Sequence, residues 1–253
     1  MSSAVTDLVL VTIPFSHYCE KARWALDRAG LSYEERAHLP LAHYLPVRLV
    51  GGRKTVPVLK TRDRTLTDST DILHWIDAQL TEPKRLFPED PALLAEVNRW
   101  ENLFDEKLGP AARRWAYGHL LPDTANTRRL MQKNVPAAES FAVGVGFPVA
   151  RALIGRGLNV NPKSCQRSLD RMREIFAEVS AALSDGREYL VGGRLTAADV
   201  AFAALANPVL FPTRSDRWLC PKDELPAAMR ETVDEFRSTP AGAWALGLYD
   251  RHR

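Results

Sequence analysis

Pro14-Phe15-Ser16-His17-Tyr18-Cys19-Glu20-Lys21-Ala22-Arg23 stands where one hydrophobic pattern stops and another begins. Before it, Leu8-Val9-Leu10-Val11-Thr12-Ile13 is a short apolar, β-branched run, as expected of a buried strand, and Pro14 ends it. After it, Cys19, Ala22, Ala25 or Leu26, and Ala29 recur at helix spacing, and Gly30 is placed to close the helix. The junction puts Ser16 at a helix N-terminus and Cys19 one turn further in. Free N–H groups and the positive end of the helix dipole can hold an anion there. A serine hydroxyl can donate to a bound thiolate, and both effects lower the pKa of a thiol beside them. The same serine reads equally well as a plain helix cap.

Working outward, residues 31–37 alternate weakly and suggest a second strand. Residues 39–52 are irregular, end in Gly51-Gly52, and predict a loop with at most a distorted helix. Val56-Pro57-Val58-Leu59-Lys60 and Thr65-Leu66-Thr67 predict a hairpin around 61–64. Pro57 cannot donate to a ladder, so it belongs at an edge, at a strand start, or in a cis turn. If the bond is cis, the Val56 backbone N–H and C=O face outward and can pair with an extended peptide. Ser69 is expected to cap a helix carrying Ile72, Leu73, Ile76 and Leu80 on one face. Asp68 and Ser69 are suited to the charged end of an amino acid, aspartate to the ammonium and serine to the carboxylate. Capping is the other reading of that pair. The order is β-α-β-x-β-β-α.

Pro83, Pro88 and Pro91 mark residues 81–91 as a linker, beyond which no strand pattern occurs. Residues 93–108 and 164–183 are helical by pattern, and Leu169, Met172, Phe176, Val179 and Leu183 form a core stripe. Residues 141–163 mix glycine, proline and apolar residues and take no assignment. The expected architecture is an α/β domain over residues 1–82 and an all-α helical bundle over residues 92–253.

Composition restricts the partners. The 34 Lys and Arg against 31 Asp and Glu leave a net charge of +3 in 253 residues. Arg113-Arg114, Arg128-Arg129 and the arginines of 171–173 are scattered, read as solvated faces, and make no basic stripe for nucleic acid. Cys19, Cys165 and Cys220 have neither disulfide-ladder nor metal-ligand spacing, which fits a reducing, cytoplasmic location and no metal. No window approaches eighteen consecutive apolar residues, so no membrane partner is expected. The start, Met1 to Asp7, lacks the pattern of a secretory leader.

The order of the 16–23 segment, Val56-Pro57, Asp68-Ser69 and the proline-rich linker resembles that of the glutathione transferase superfamily. Further along, Tyr189-Leu190-Val191-Gly192-Gly193-Arg194-Leu195-Thr196-Ala197-Ala198-Asp199-Val200 resembles the family's buried capping segment. Its chemistry stands alone, because Asp199 at the third helical position can reach back to the Thr196 N–H. The resemblance spans residues from about 8 to 210. It implies a thioredoxin-like N-terminal domain, a helical C-terminal domain, a homodimer, and glutathione as co-substrate. It makes Ser16 the catalytic residue that meets the glutathione sulfur. Tyrosine-type members place their hydroxyl at the position of Thr12, so a tyrosine mechanism is not implied. Serine at position 16 also excludes the mixed-disulfide chemistry of cysteine-type members. Cys19 stands second in Ser-His-Tyr-Cys and either packs beneath the site or has redox chemistry.

By the same resemblance, Val56 pairs with the cysteinyl backbone, and Asp68 and Ser69 bind the γ-glutamyl end. Arg53, Lys54, Arg48 and His43 are candidates for the glycyl carboxylate. Trp115, Tyr117, His119, Phe141 and Phe147 are candidates to shape the site of a small-molecule electrophile, or are core. The segment 134–162 is longer than the usual connection. The implied activity is conjugation of glutathione to an apolar electrophile, or reduction of a peroxide, in detoxification. A glutathione-binding or assembly protein without turnover is the alternative.

Overall fold

The computed structural model describes residues 7–215 and 219–253. Residues 1–6, which enter the leader reading, and Trp218 lie outside the described residues. The sheet is built on β1 (Val9–Thr12), whose alternating side chains face two different layers. β2 (Glu34–Ala37) pairs with it in parallel, Val9 opposite Glu34. β3 (Val58–Lys60) pairs antiparallel, Val9 opposite Lys60, and β4 (Thr65–Leu66) completes the order β2-β1-β3-β4. A parallel pair needs a crossover, and α1 (His17–Ala29) supplies it, ending at Gly30 with φ of 69°.

On one face Leu10 and Leu59 pack with α1 and with α3 (Ser69–Asp77). On the other, Val11 and Val58 pack with Val47 of α2 (Tyr44–Leu49), a short helix in the stretch expected to be loop. Irregular polarity hid it, because only Val47 of its six residues is buried. The Gly51-Gly52 turn then folds tightly under α2. A Cβ on Gly52 would lie 2.7 Å from Val47 Cγ1.

The proline-rich stretch does not hang free. Leu86 and Phe87 are buried, and both backbone N–H groups donate to Asp77 Oδ1, at 2.5 and 3.2 Å. Eight helices follow among the described residues, arranged around one of them. α4 (Pro91–Leu103) runs through a wider-wound turn at Phe104–Leu108 into α5 (Gly109–Leu120). Next come α6 (Thr124–Met131), α7 (Ala137–Gly157) and α8 (Pro162–Ala182). α9 (Ala197–Leu210), α10 (Ala227–Ser238) and α11 (Pro240–His252) complete the domain. α7 fills the stretch that the sequence leaves unassigned. Its glycines and Pro148 obscure the helix, which stays one 21-residue piece.

All fourteen residues of α9 are buried. Asp199 starts it as expected, accepting from Thr196 N at 2.6 Å and Leu190 N at 2.8 Å. Burial raises its carboxyl to about 6, against the pull of those donors. α1 packs directly on α9, and buried charge joins α1 to α4 and the wider-wound turn that follows it. Lys21 Nζ lies 2.8 Å from Glu101 and 2.7 Å from Asp105, with Thr70 Oγ1 at 3.3 Å. Burial pulls the Lys21 pKa down, but the two carboxylates outweigh it and raise it overall.

Candidate active site

Ser16 caps α1 with extended backbone, φ −76° and ψ 121°, and its Oγ accepts from Cys19 N at 3.4 Å. That backbone aims the residue into a cavity of about 310 Å³ between the sheet domain and the helices. Val56 and Lys54 line the same cavity, so the structure brings together three of the residues picked from sequence. The Val56–Pro57 bond is cis, the turn option anticipated for Pro57.

Of the other residues picked for glutathione, only His43 also borders the cavity. Asp68, not Ser69, is the cap of α3, because its carboxylate already accepts from Thr70 N at 2.8 Å. Ser69 is the first helical residue and is buried. Neither lines the 310 Å³ cavity, although Asp68 is close enough to Tyr18 to act on its phenol. Arg53 and Arg48 line a separate shallow groove with Gly51 and Gly52, which Lys54 also borders. His43 borders the cavity, but its ring nitrogens face Lys54 O at 3.0 Å and Leu39 O at 3.3 Å. It thereby ties the loop that carries Lys54, and burial lowers its pKa. Thr12 is buried and donates to Glu35 at 2.6 Å, away from the cavity.

Cys19 lies wholly inside α1's packed face, and burial drives its thiol up to about 11 against the influence of Arg23 and Ser16. A thiol so placed is protonated near neutrality and packs beneath the site. All three cysteines are free thiols.

Several cavity residues were not legible in the sequence. His17 Nε2 is 3.0 Å from Gly109 O, and burial together with Arg113 lowers its pKa to about 3, so the ring is neutral. Tyr18 donates to Asp105 O at 2.6 Å, and burial keeps its phenol protonated. Gly109 permits this approach, since a Cβ there would collide with the Tyr18 hydroxyl. α7 adds Leu153 and Ile154, and α5 adds Arg113 beside Tyr117, one of the aromatic candidates.

Arg113 corrects the reading of Arg113-Arg114 as a solvated face. It is half-buried in the cavity wall, and no carboxylate pairs with it among the described residues. Arg114 is also partly buried, donating to Leu158 O and Ser168 Oγ. Only the i, i+4 spacing of Arg113 and Tyr117 hinted that both share one helix face.

Of the other aromatic candidates, Trp115 and Phe147 are core and Phe141 is exposed. His119 borders a different groove of about 890 Å³ between α5, α7 and α8, which contains no other candidate residue.

A cationic, partly apolar cavity lined by Lys54 and Arg113 beside a serine-capped helix N-terminus suits a small anion carrying an apolar extension. Comparison with known proteins bears on the family. Residues 10–84 match the glutathione S-transferase N-terminal domain, and residues 162–230 match the glutathione S-transferase C-terminal domain. The chain belongs to the glutathione S-transferase superfamily.

Among curated relatives, it is 28% identical over 109 residues to a probable glutathione S-transferase, MSR-1, of Nicotiana plumbaginifolia. That match covers 43% of this chain and 50% of the relative. It is 32% identical over 112 residues to glutaredoxin 2 of Escherichia coli K12, covering 39% and 52%. The chain thus spans about half the length of the curated relatives it matches. Over nearly the whole length it shares the fold of a glutathione S-transferase from Methylobacterium radiotolerans in complex with glutathione sulfonate. The TM-score is 0.55, with 20% identity and 94% of each chain covered. As in these transferases, a thioredoxin-like domain precedes a helical one. α6 and α7 fall between the two matched segments of the superfamily.

Proposed function

We propose that the protein binds glutathione in the cavity at Ser16 and holds it as the thiolate. The thiolate then attacks an apolar electrophile to form a conjugate, or reduces a peroxide. The observation that carries this reading is the meeting of Ser16, Val56 and Lys54 at the α1 N-terminus, facing the unpaired cation Arg113.

In this scheme the Ser16 hydroxyl donates to sulfur, and the helix dipole and Arg113 add positive potential. His17 takes no proton from the thiol, because its Nε2 is committed to Gly109 O and its pKa is far below neutrality. The proton leaves to solvent. Val56 pairs with the cysteinyl backbone of the tripeptide, and Lys54 meets the glycyl carboxylate. Asp68 and the first-turn amides of α3 receive the γ-glutamyl end, with Arg53 outside the cavity as a longer-range contact. Tyr117, Leu153 and Ile154 border the second substrate. The same reading carries a cytoplasmic homodimer acting in detoxification.

The test is Ser16→Ala. Turnover should fall roughly a hundredfold, with loss of thiolate absorbance near neutral pH and glutathione affinity little changed. Unchanged turnover would remove Ser16 from its role. Failure of the natural protein to bind immobilised glutathione would remove the co-substrate.

A further inference from the structure

Among the described residues, seven of the eight large hydrophobic residues left exposed come from two elements. Tyr44, Leu45 and Leu49 belong to α2, and Phe141, Val145, Val149 and Leu153 belong to α7. The α7 four recur every fourth residue, a single row of roughly 18 Å along the helix. The opposite side of α7, with Val143, Phe147 and Ile154, packs against Leu39 and Leu121.

The two elements meet at the cavity, and α7 is tethered to the segment that leads into α2. Glu139 accepts from Leu39 N at 2.7 Å and contacts His38 Nδ1 at 2.6 Å, and Tyr44 and Leu153 border the same cavity. The two apolar rows therefore converge at the cavity, where Tyr44 and Leu153 border it. A clustered apolar face of this kind marks an interaction surface rather than scattered exposure.

Charge decides what covers it. Residues 36–62 and 140–169 contain no aspartate or glutamate. Arg48 on α2, Arg53 and Lys54 just after it, and Arg151 and Arg156 on α7 are exposed, and none forms an ion pair among the described residues. An isologous contact between two copies would set these five cations against themselves with no carboxylate to meet them. An anionic lipid surface supplies both missing parts, an apolar phase for the helix row and negative headgroups for the arginines and lysine.

We infer that the α2–α7 face docks the protein peripherally on anionic bilayers, with α7 lying in the interfacial plane. The expectation of no membrane partner rested on the lack of a spanning segment, and surface docking needs only an exposed face. Long apolar helices can also span, and α7 has the length and composition for it. Its packed side and its tether to residues 38–39 keep it on the domain instead. The inference does not depend on glutathione chemistry.

The test uses the full chain with vesicles of phosphatidylcholine alone, and of phosphatidylcholine with about one third phosphatidylglycerol. Co-sedimentation with the anionic vesicles should exceed that with neutral ones and should weaken as salt is raised. The Val145→Asp, Val149→Asp pair should weaken it by more than about tenfold. Arg48→Glu with Arg156→Glu should abolish the preference for anionic lipid. In an otherwise natural chain, the fluorescence gained by Phe141→Trp should be quenched by brominated lipid. Equal sedimentation with both vesicle types, or fluorescence of that variant untouched by brominated lipid, would overturn the inference. So would a dimer that the Asp pair dissociates in a protein that ignores vesicles, which would give the face to a second copy.

Discussion

α9 and α7 are both long apolar helices, yet all fourteen residues of the first are buried and only three of the second's 21 are. Composition does not distinguish them, but surroundings do. α9 lies among α1, α4, α5, α10 and α11 and begins at a fixed carboxylate cap. α7 rests on one small cluster at the rim of the cleft and is fastened at its start by Glu139. Apolar sequence therefore supplies a demand for cover, and the neighbouring elements determine whether the chain itself meets it.

The largest expected effect lies on the α9 side. Phe202 meets Phe104 edge-on at 5.1 Å and Phe176 at 5.0 Å, with no exposed surface. Phe202→Ala should lower the unfolding free energy by about 3–5 kcal/mol, read from urea denaturation. A loss under about 1 kcal/mol would mean that the α9 core is loosely packed.

An intermediate effect tests the wall that encloses α9 through α1 and α5. His17 is neutral at the α1–α5 seam, with a folded pKa of about 3 against the ordinary 6.5. Below pH 6.5 the unfolded chain takes up a proton that the folded protein refuses, so stability falls as pH drops from 6.5 toward 3. The loss attributable to this ring is on the order of 3 kcal/mol by about pH 4. His17→Gln should flatten that part of the stability–pH curve. Superimposable acid limbs in the two proteins would show the ring to be open to water.

The smallest effect belongs to α7. Phe141 is 76% exposed, and Phe141→Ala should change stability by no more than about 0.5 kcal/mol. The same chemical change as in α9 thus has a several-fold smaller consequence. A loss equal to that of Phe202→Ala would break the comparison and put α7 inside the core.

Much of the first eighty residues was legible from local pattern alone. The helix closed by Gly30 and the cap at Ser16 depend on contacts within a few residues, as does the Thr196–Asp199 box further along, while the strand before Pro14 shows in its apolar run although its partners are distant. α2 and α7 were not legible, because each shows only one narrow buried edge and glycine or proline interrupts the rest. The site divided in the same way. Ser16 and Val56 stand in motifs at set distances along the chain, whereas Lys54 is one of four loop candidates and shares its cavity with His43. Arg113 and Tyr117 reach the cavity only because α5 passes over the α1 N-terminus, with Gly109 allowing that approach.

By itself, the sequence determined the β-α-β-x-β-β-α order, the helical second half and the serine at the strand-to-helix junction, because short-range sterics and hydrogen bonding control all three. Tertiary structure alone decided which arginine enters the cavity and which apolar helix stays uncovered. Those outcomes depend on residues far apart in the chain, and no local pattern encodes the packing that brings them together.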